Sequence, residues 1–484
     1  MHLVVIFFYS ISLLYIFLFS LGQLHLSWIY LKKGKKPKVL PELSTDLPYV
    51  TIQLPIYNER YVVERLLEAV SKIDYPKEKL EIQVLDDSTD ETTNLILKKI
   101  EILRPLQLDI KLIHRENRKG YKAGALAYAT AQTKGEFIAI FDADFIPQAD
   151  FLQKTIPHFQ DSTVAVVQTR WAHTNQDYSL LTQLQAFGLD AHFSIEQSAR
   201  NAVGSFINFN GTCGVWRKQA IVDAGGWQDD TLTEDLDLSY RAQLKGWKFV
   251  YLPEISTPGE LPIIMSAIKS QQYRWNKGGA ETARKNFINV VRSHNSLTTK
   301  MHAFFHLFNS SVFVSLLIAA VLSIPMLFIK AAHPELAWIF HTGSVFLIGF
   351  FSIGFFYWTA TKQFYKKPAK VFLKKFPAFL IISMGLSLHN GLAVLEGLAG
   401  RRTPFIRTPK FNVGEKKDSW KLNKYIASSL QPLTLLEGLL CIYFIYGIVA
   451  GIRMGDTGLL LFHSMLAFGF GAVFYLSIKA LRFA

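Results

Sequence analysis

The chain has 484 residues, half of them hydrophobic, with a positive mean hydropathy, which is too apolar for one or two ordinary soluble domains. Its net charge of +14 is concentrated beside apolar runs, as at Lys32, Lys33, Lys35, Lys36 and Lys38; this is the positive-inside pattern of a membrane protein and argues against nucleic acid as a partner. Two cysteines, Cys213 and Cys441, lie far apart without Cys-x-x-Cys spacing, which argues against a disulfide framework or zinc site and suits a domain facing a reducing cytosol.

Residues 1–31 hold the first apolar run. It lacks a basic start and a small-residue cleavage site, so it is expected to be a retained transmembrane helix whose C-terminal end, followed by lysines, faces the cytosol. Residues 47–300 carry alternating strand and helix patterns: strands at 50–54, 82–85 and 137–141, and helical spacing at 61–73 and 91–103. Short apolar runs separated by helical periods predict a parallel sheet with covering helices, in which ligands sit beyond the carboxyl ends of the strands. Asp86-Asp87 and Asp142-Ala143-Asp144 fall at those ends.

Residues 301–361 contain two apolar spans, and 376–398 a third apolar segment that carries Ser383, Ser387, His389, Asn390 and Glu396. The stretch 399–432 is strongly basic, and residues 433–484 contain two more spans. If 376–398 crossed the bilayer, the basic loop after it would lie outside, against the charge rule. The segment is therefore expected to lie at the interface or to re-enter, leaving five crossings; the alternative is six crossings with an exception to the rule.

Four clusters carry chemistry. Asp142 and Asp144 flank one residue at a strand end, and such hard oxygen donors can hold Mg²⁺ or Mn²⁺ against a diphosphate. Asp-x-Asp is common in polar loops; the strand before it gives it weight. Asp90 or Thr89 is expected to cap the next helix, whereas Asp86 and Asp87 can read a nucleobase N–H. The stretch 117–124, Asn-Arg-Lys-Gly-Tyr-Lys-Ala-Gly, offers cations and a flexible backbone near a helix start, suited to a diphosphate. Glu234, Asp235 and Asp237 repel one another, which raises a carboxyl pKa and suits a general base. In Gln271-Gln272-Tyr273-Arg274-Trp275 a helix puts Gln271 on the face of Arg274 and Trp275, where Arg can grip a phosphate and Trp can stack on a pyranose.

In this order the motifs resemble the processive family 2 glycosyltransferases. The stretches IQVLDDSTD, NRKGYKAGAL, AIFDADFIPQADFL, FNGTCGVWR, TEDLDLSYRAQLKGWKF and QQYRW are similar to the cellulose-synthase-like A and C proteins of plants, which make β-1,4-mannan or glucomannan and the β-1,4-glucan backbone of xyloglucan. The resemblance implies a GT-A (Rossmann-like) α/β glycosyltransferase domain inserted in an α-helical transmembrane region. It also implies that Asp87 contacts the base of a nucleotide-sugar donor, Lys122 the diphosphate, and Asp142 and Asp144 the donor and metal. Asp235 becomes the general base; Gln271, Arg274 and Trp275 hold the pyrophosphate and the acceptor end; and residues 209–214, with Gly211 and Thr212, form part of the acceptor pocket. The family's gating loop, Phe-x-Val-Thr-x-Lys, corresponds to Phe405-Ile406-Arg407-Thr408-Pro409-Lys410, with Arg407 where Val is usual. The implied reaction is a single displacement from UDP-glucose or GDP-mannose onto a growing β-linked glycan, at a plasma, inner or secretory membrane with the catalytic domain in the cytosol. A lipid acceptor taking one or a few sugars is the alternative, and a non-catalytic subunit is disfavoured because the acidic positions are all present.

Overall fold

A computed structural model describes residues 2–34, 46–336, 343–414 and 431–481. Seven strands form one sheet: β1 Val50–Ile56, β2 Leu80–Asp86, β3 Asp109–His114, β4 Phe137–Ile140, β5 Val164–His173, β6 Gly214–Arg217 and β7 Lys248–Gly259, in the order β3-β2-β1-β4-β6-β5-β7. Strands β1 to β4 pair in parallel, as do β5 and β7. The expectation of a wholly parallel sheet is corrected by β6, which runs antiparallel to both β4 and β5. That reversal positions the site: Gly214 lies opposite Ile140, so the loop before β6 abuts the residues that follow β4.

The strand alternation fills both faces. Val50, Ile52, Leu54, Phe137 and Ala139 enter one buried cluster, and Ile138 and Ile140 enter the other, beneath the helices Tyr121–Gln132 and Glu234–Leu244. Where β1 presents Thr51 and Gln53, the buried side chains donate across strands, Thr51 to Glu81 (2.8 Å) and the Gln53 amide nitrogen to Gln83 (3.0 Å).

Among the described residues, four helices are long and apolar enough to cross a membrane: His2–Gly34, Ser311–Ala332, Pro432–Arg453 and Leu460–Lys479. A fifth candidate is a pair, Pro368–Gly385 and Ser387–Leu398, bent by 54°. The apolar segment 376–398 thus straddles two helices. At the crossing of Pro368–Gly385 with Leu460–Leu481, a Cβ on Gly385 would collide with the Gly469 carbonyl oxygen, the close backbone approach that small residues allow between membrane helices. The second expected span of 301–361 is represented by the 18-residue helix Leu347–Phe364; part of that span and residues 415–430 of the basic stretch 399–432 lie outside the described residues.

The long helix Met265–Arg292 joins the two regions. One face looks onto the sheet's carboxyl edge, while on the other Lys269, Gln272 and Lys277 meet Glu437, Asn390 and Glu396 of the apolar helices.

Candidate active site

A cavity opens at the carboxyl ends of the strands, roofed by 405–410 and lined by Asp87, Lys122, Asp142, Asp144, Gly211, Glu234, Asp235, Gln271, Arg274 and Trp275. The residues expected from four separate motifs therefore meet in one place, and two of the expected assignments change.

The first change concerns Thr212, which is fully buried and outside the lining. Its Oγ1 accepts the Asp142 N–H at 2.9 Å, so it fixes the backbone of the Asp-x-Asp turn from behind the cavity wall. Phe209 and Cys213 are likewise buried behind the wall. The second concerns Asp86. It accepts from Thr93 Oγ1 (2.6 Å) and the Ser88 N–H (3.0 Å) and faces His114 (3.0 Å), so it builds the turn and is unavailable to a base. The expected cap at Asp90 or Thr89 shifts: the N-cap position is held by Glu91 without a side-chain bond, and Asp90, one residue before it, accepts the Thr92 N–H at 2.9 Å.

Asp87 remains in the lining, with both oxygens held by Arg115 at 2.7 and 2.5 Å. Lys122 reaches Asp142 at 2.6 Å, the Gly211 carbonyl at 2.8 Å and Glu234 at 3.9 Å. Burial works against its ammonium, but Asp142 and Glu234 outweigh that and hold its pKa above the usual lysine value. Asp144 accepts from Lys410 at 2.7 Å and from the Glu260 N–H at 3.1 Å. Asp142 and Asp144 thus offer at the cavity the hard oxygens a divalent cation requires, and each is paired here with an ammonium. No group of three or more metal-ligating side chains occurs among the described residues, so an ion here would complete its shell with substrate and water oxygens.

Asp235 opens the helix Glu234–Leu244, one residue in from its start. Its Oδ1 accepts the Leu236 N–H at 2.9 Å, and no cation lies within ion-pair distance of it among the described residues. Loss of water around it, then the adjacent Glu234 charge, push its pKa up to about 7; Lys122 opposes them without prevailing. Asp237 is different, being buried among Arg241 (2.8 Å), Lys285 (3.0 Å) and Asn286 (2.8 Å), and its work is structural. Gly211 sits at φ +76°, and a Cβ there would stand 2.9 Å from Asp235 Oδ2 and 3.4 Å from Lys122 Nζ. The glycine lets acid and lysine close over the loop.

On Met265–Arg292, Gln271, Arg274 and Trp275 face the cavity as helical spacing requires, with Trp275 6.3 Å from Trp171. Arg274 donates to Thr408 at 2.7 Å and lies over the Phe405 ring at 4.6 Å. Burial holds its pKa below the usual arginine value, against Glu234 and Asp142.

The gating-loop segment is closed over the site. Arg407 makes a two-point pair with Glu59 at 2.8 and 2.6 Å, and Glu260 accepts the Phe411 and Asn412 N–H groups at 2.7 and 2.9 Å. Burial raises the Glu59 pKa despite Arg407, and pushes Glu260 up to about 7 despite Lys410. Glu59, Arg115 and Glu260 were not singled out in the sequence. Glu59 carried one readable signal, an acid just past the carboxyl end of β1.

This constellation sits on a mixed α/β sheet of the GT-A type flanked by long apolar helices. Residues 48–278 match the family model described as "Glycosyltransferase like family 2", and the chain belongs to glycosyltransferase family 2. It is 44% identical over 276 residues to glucomannan 4-beta-mannosyltransferase 1 of Oryza sativa subsp. japonica, covering 55% of this chain and 53% of that one. It is 35% identical over 391 residues to glucomannan 4-beta-mannosyltransferase 9 of Arabidopsis thaliana, covering 79% and 71%. Against the first of these relatives the chain spans about half their length. In fold it is similar to the mannosyltransferase PcManGT from Pyrobaculum calidifontis, solved in complex with GDP-Man and Mn²⁺, with a TM-score of 0.56 at 21% identity over 82% of this chain and 100% of that one.

Proposed function

We propose that this chain is a membrane-embedded inverting hexosyltransferase that extends a β-1,4-linked polysaccharide from a nucleotide-sugar donor, with the catalytic domain in the cytosol. The observation that carries the reading is Asp235: a half-buried carboxylate without an ion-pair partner among the described residues, at a cavity edge otherwise crowded with paired acids. The names of the plant relatives favour GDP-mannose over UDP-glucose as donor.

Asp235 takes the proton from an acceptor hydroxyl, whose oxygen attacks the anomeric carbon from the face opposite the nucleotide. The glycosidic bond to the diphosphate breaks, and an α-linked donor yields a β-linkage. Lys122 and Arg274 face the leaving diphosphate, whose charge grows as the bond breaks. Asp142 and Asp144 would hold Mg²⁺ or Mn²⁺, which supplies further charge stabilisation there. Asp87, tied to Arg115, faces the nucleoside end, and Trp275 supplies an apolar face for the acceptor sugar. The charge pattern supports five crossings, with the bent pair re-entering beneath Met265–Arg292.

The test is product analysis with the purified full chain in lipid nanodiscs, offering GDP-mannose and UDP-glucose separately with Mg²⁺ or Mn²⁺. A β-mannanase-sensitive polymer from GDP-mannose is expected. A β-glucanase-sensitive product would reassign the sugar, and a lipid-extractable product of one or a few sugars would replace the polymer reading.

A further inference from the structure

Among the described residues His173 is the only histidine lining the cavity, and none of the four motifs includes it. It ends β5 opposite Gly259, two residues beyond Trp171. Its Nε2 lies 3.2 Å from Asp190 Oδ1, and the two side chains are only 4% and 8% exposed. Asp190 comes from the helix Leu180–Ala191 and stays behind the wall, where its neighbour Leu189 lines the cavity. A carboxylate accepts only from a proton-bearing nitrogen. The pair therefore places the hydrogen on Nε2, and in the neutral ring Nδ1 keeps a lone pair. No described group donates to Nδ1. Sinking a carboxylate and an imidazole into an aromatic wall carries a desolvation penalty, and the β5–β7 ladder does not need them, because its pairing there is made by backbone groups.

Sheet order says which part of the substrate meets this ring. Asp87 follows β2 and the Asp-x-Asp turn follows β4, whereas His173 ends β5, four strand positions from β2. At roughly 4.8 Å per strand that is about 19 Å across the carboxyl edge. A nucleotide sugar laid with its base at Asp87 and its diphosphate at Asp142 puts sugar, and not nucleotide, at His173. Trp171 and Trp275 flank that end.

We propose that the Asp190–His173 pair reads the acceptor glycan: Asp190 fixes the imidazole so that Nδ1 accepts a hydrogen bond from a hydroxyl of the terminal sugar seated against the Trp171–Trp275 pair. The proposal rests on the glycan-acceptor reading above and adds a specificity-determining contact to it. The probes are β-1,4-linked mannotetraose and cellotetraose, with binding measured by calorimetry on the full chain in nanodiscs and KM measured for tetraose and donor separately. His173→Gln keeps an amide near Nε2 to meet Asp190 but offers no acceptor at Nδ1. It is expected to weaken tetraose binding and raise tetraose KM about tenfold, as for a lost hydrogen bond, with donor KM within twofold. Asp190→Asn should cause a smaller loss of the same sign, because the ring is then free to change tautomer. Unchanged GDP or UDP affinity in both variants reports an intact fold. Unaltered tetraose affinity in His173→Gln, or a rise in donor KM alone, would overturn the assignment. A wild-type protein that binds nucleotide but neither tetraose would instead remove the glycan-acceptor reading itself.

Discussion

Gly211→Ala tests the catalytic geometry at a residue that does no chemistry. The backbone stands at φ +76°, where an alanine costs about 1–2 kcal/mol. The new Cβ would also sit 2.9 Å from Asp235 Oδ2, so the carboxylate must retreat about 0.5 Å to reach ordinary contact at 3.4 Å. Misplacing a reacting group by 1 Å costs about a hundredfold, so half of that predicts about a tenfold loss of kcat. Gly226→Ala is the control: φ is +72° and nothing lies within 4 Å, so it carries the same backbone strain without the clash. Thermal unfolding in nanodiscs and nucleoside diphosphate release, coupled to NADH oxidation, are measured on both variants. Both should lose a few degrees of Tm, and only Gly211→Ala should lose turnover beyond that. If its kcat lies within twofold of Gly226→Ala, the close approach of residue 211 to Asp235 has no catalytic meaning.

Asp235→Asn should lower transfer by at least a hundredfold while nucleotide affinity holds, since the general base goes and the donor contacts stay; retained turnover would assign the base elsewhere. The pH profile has a definite sign. A base must be deprotonated, and with its pKa pushed up to about 7, kcat should fall about tenfold per unit below that value and flatten above it; an inflection near 4 would contradict the burial argument. Arg407→Val restores the gating-loop residue usual in the family and strands Glu59 in a buried site, so donor KM should rise about tenfold, and Glu59→Gln added to it should recover part of the loss. A cysteine placed at Arg401 should react with membrane-impermeant maleimide only from the cytosolic side; labelling from outside refutes the five-crossing topology.

How much of this was legible depended on the range of the interaction. Strands β1, β2 and β4 and the acids beyond them could be read because alternation and chain order are local. The four motifs predicted one site, and helical spacing correctly turned Gln271, Arg274 and Trp275 to a common face. The antiparallel β6 could not be read, because four residues, Gly-Val-Trp-Arg, carry no directional signal. The role of Thr212 depended on that reversal, since only an antiparallel β6 brings its hydroxyl to the Asp142 N–H. The lid clasp joins Glu59 to Arg407 across 348 residues of sequence, and the departure from Val at 407 makes sense only once the acid opposite it is seen.

The motifs name several candidate acids, and pairing is what separates them. Asp87 is held by Arg115, Asp142 by Lys122, Asp144 by Lys410 and Glu59 by Arg407, all within 2.7 Å. Glu260 receives two backbone N–H groups from the lid, and Glu234 stands within 3.9 Å of Lys122. Each of those carboxylates is held in place by its partner, and at Glu59 and Glu260 burial still raises the pKa despite the cations opposite. Asp235 has one backbone N–H and a like-charged neighbour, and its pKa is pushed up to about 7, as is that of Glu260; Glu260 faces Lys410 and is occupied by the two lid N–H groups, whereas Asp235 has no ion-pair partner among the described residues. Moving Lys122 nearer to Asp235 would abolish that distinction. The 2.6 Å bond to Asp142 and the 2.8 Å bond to the Gly211 carbonyl are what keep the lysine from doing so. In the proposed reaction the lysine thereby faces the leaving group, and from its place beside Asp142 it lowers the basicity of Asp235 without overcoming burial and the Glu234 charge.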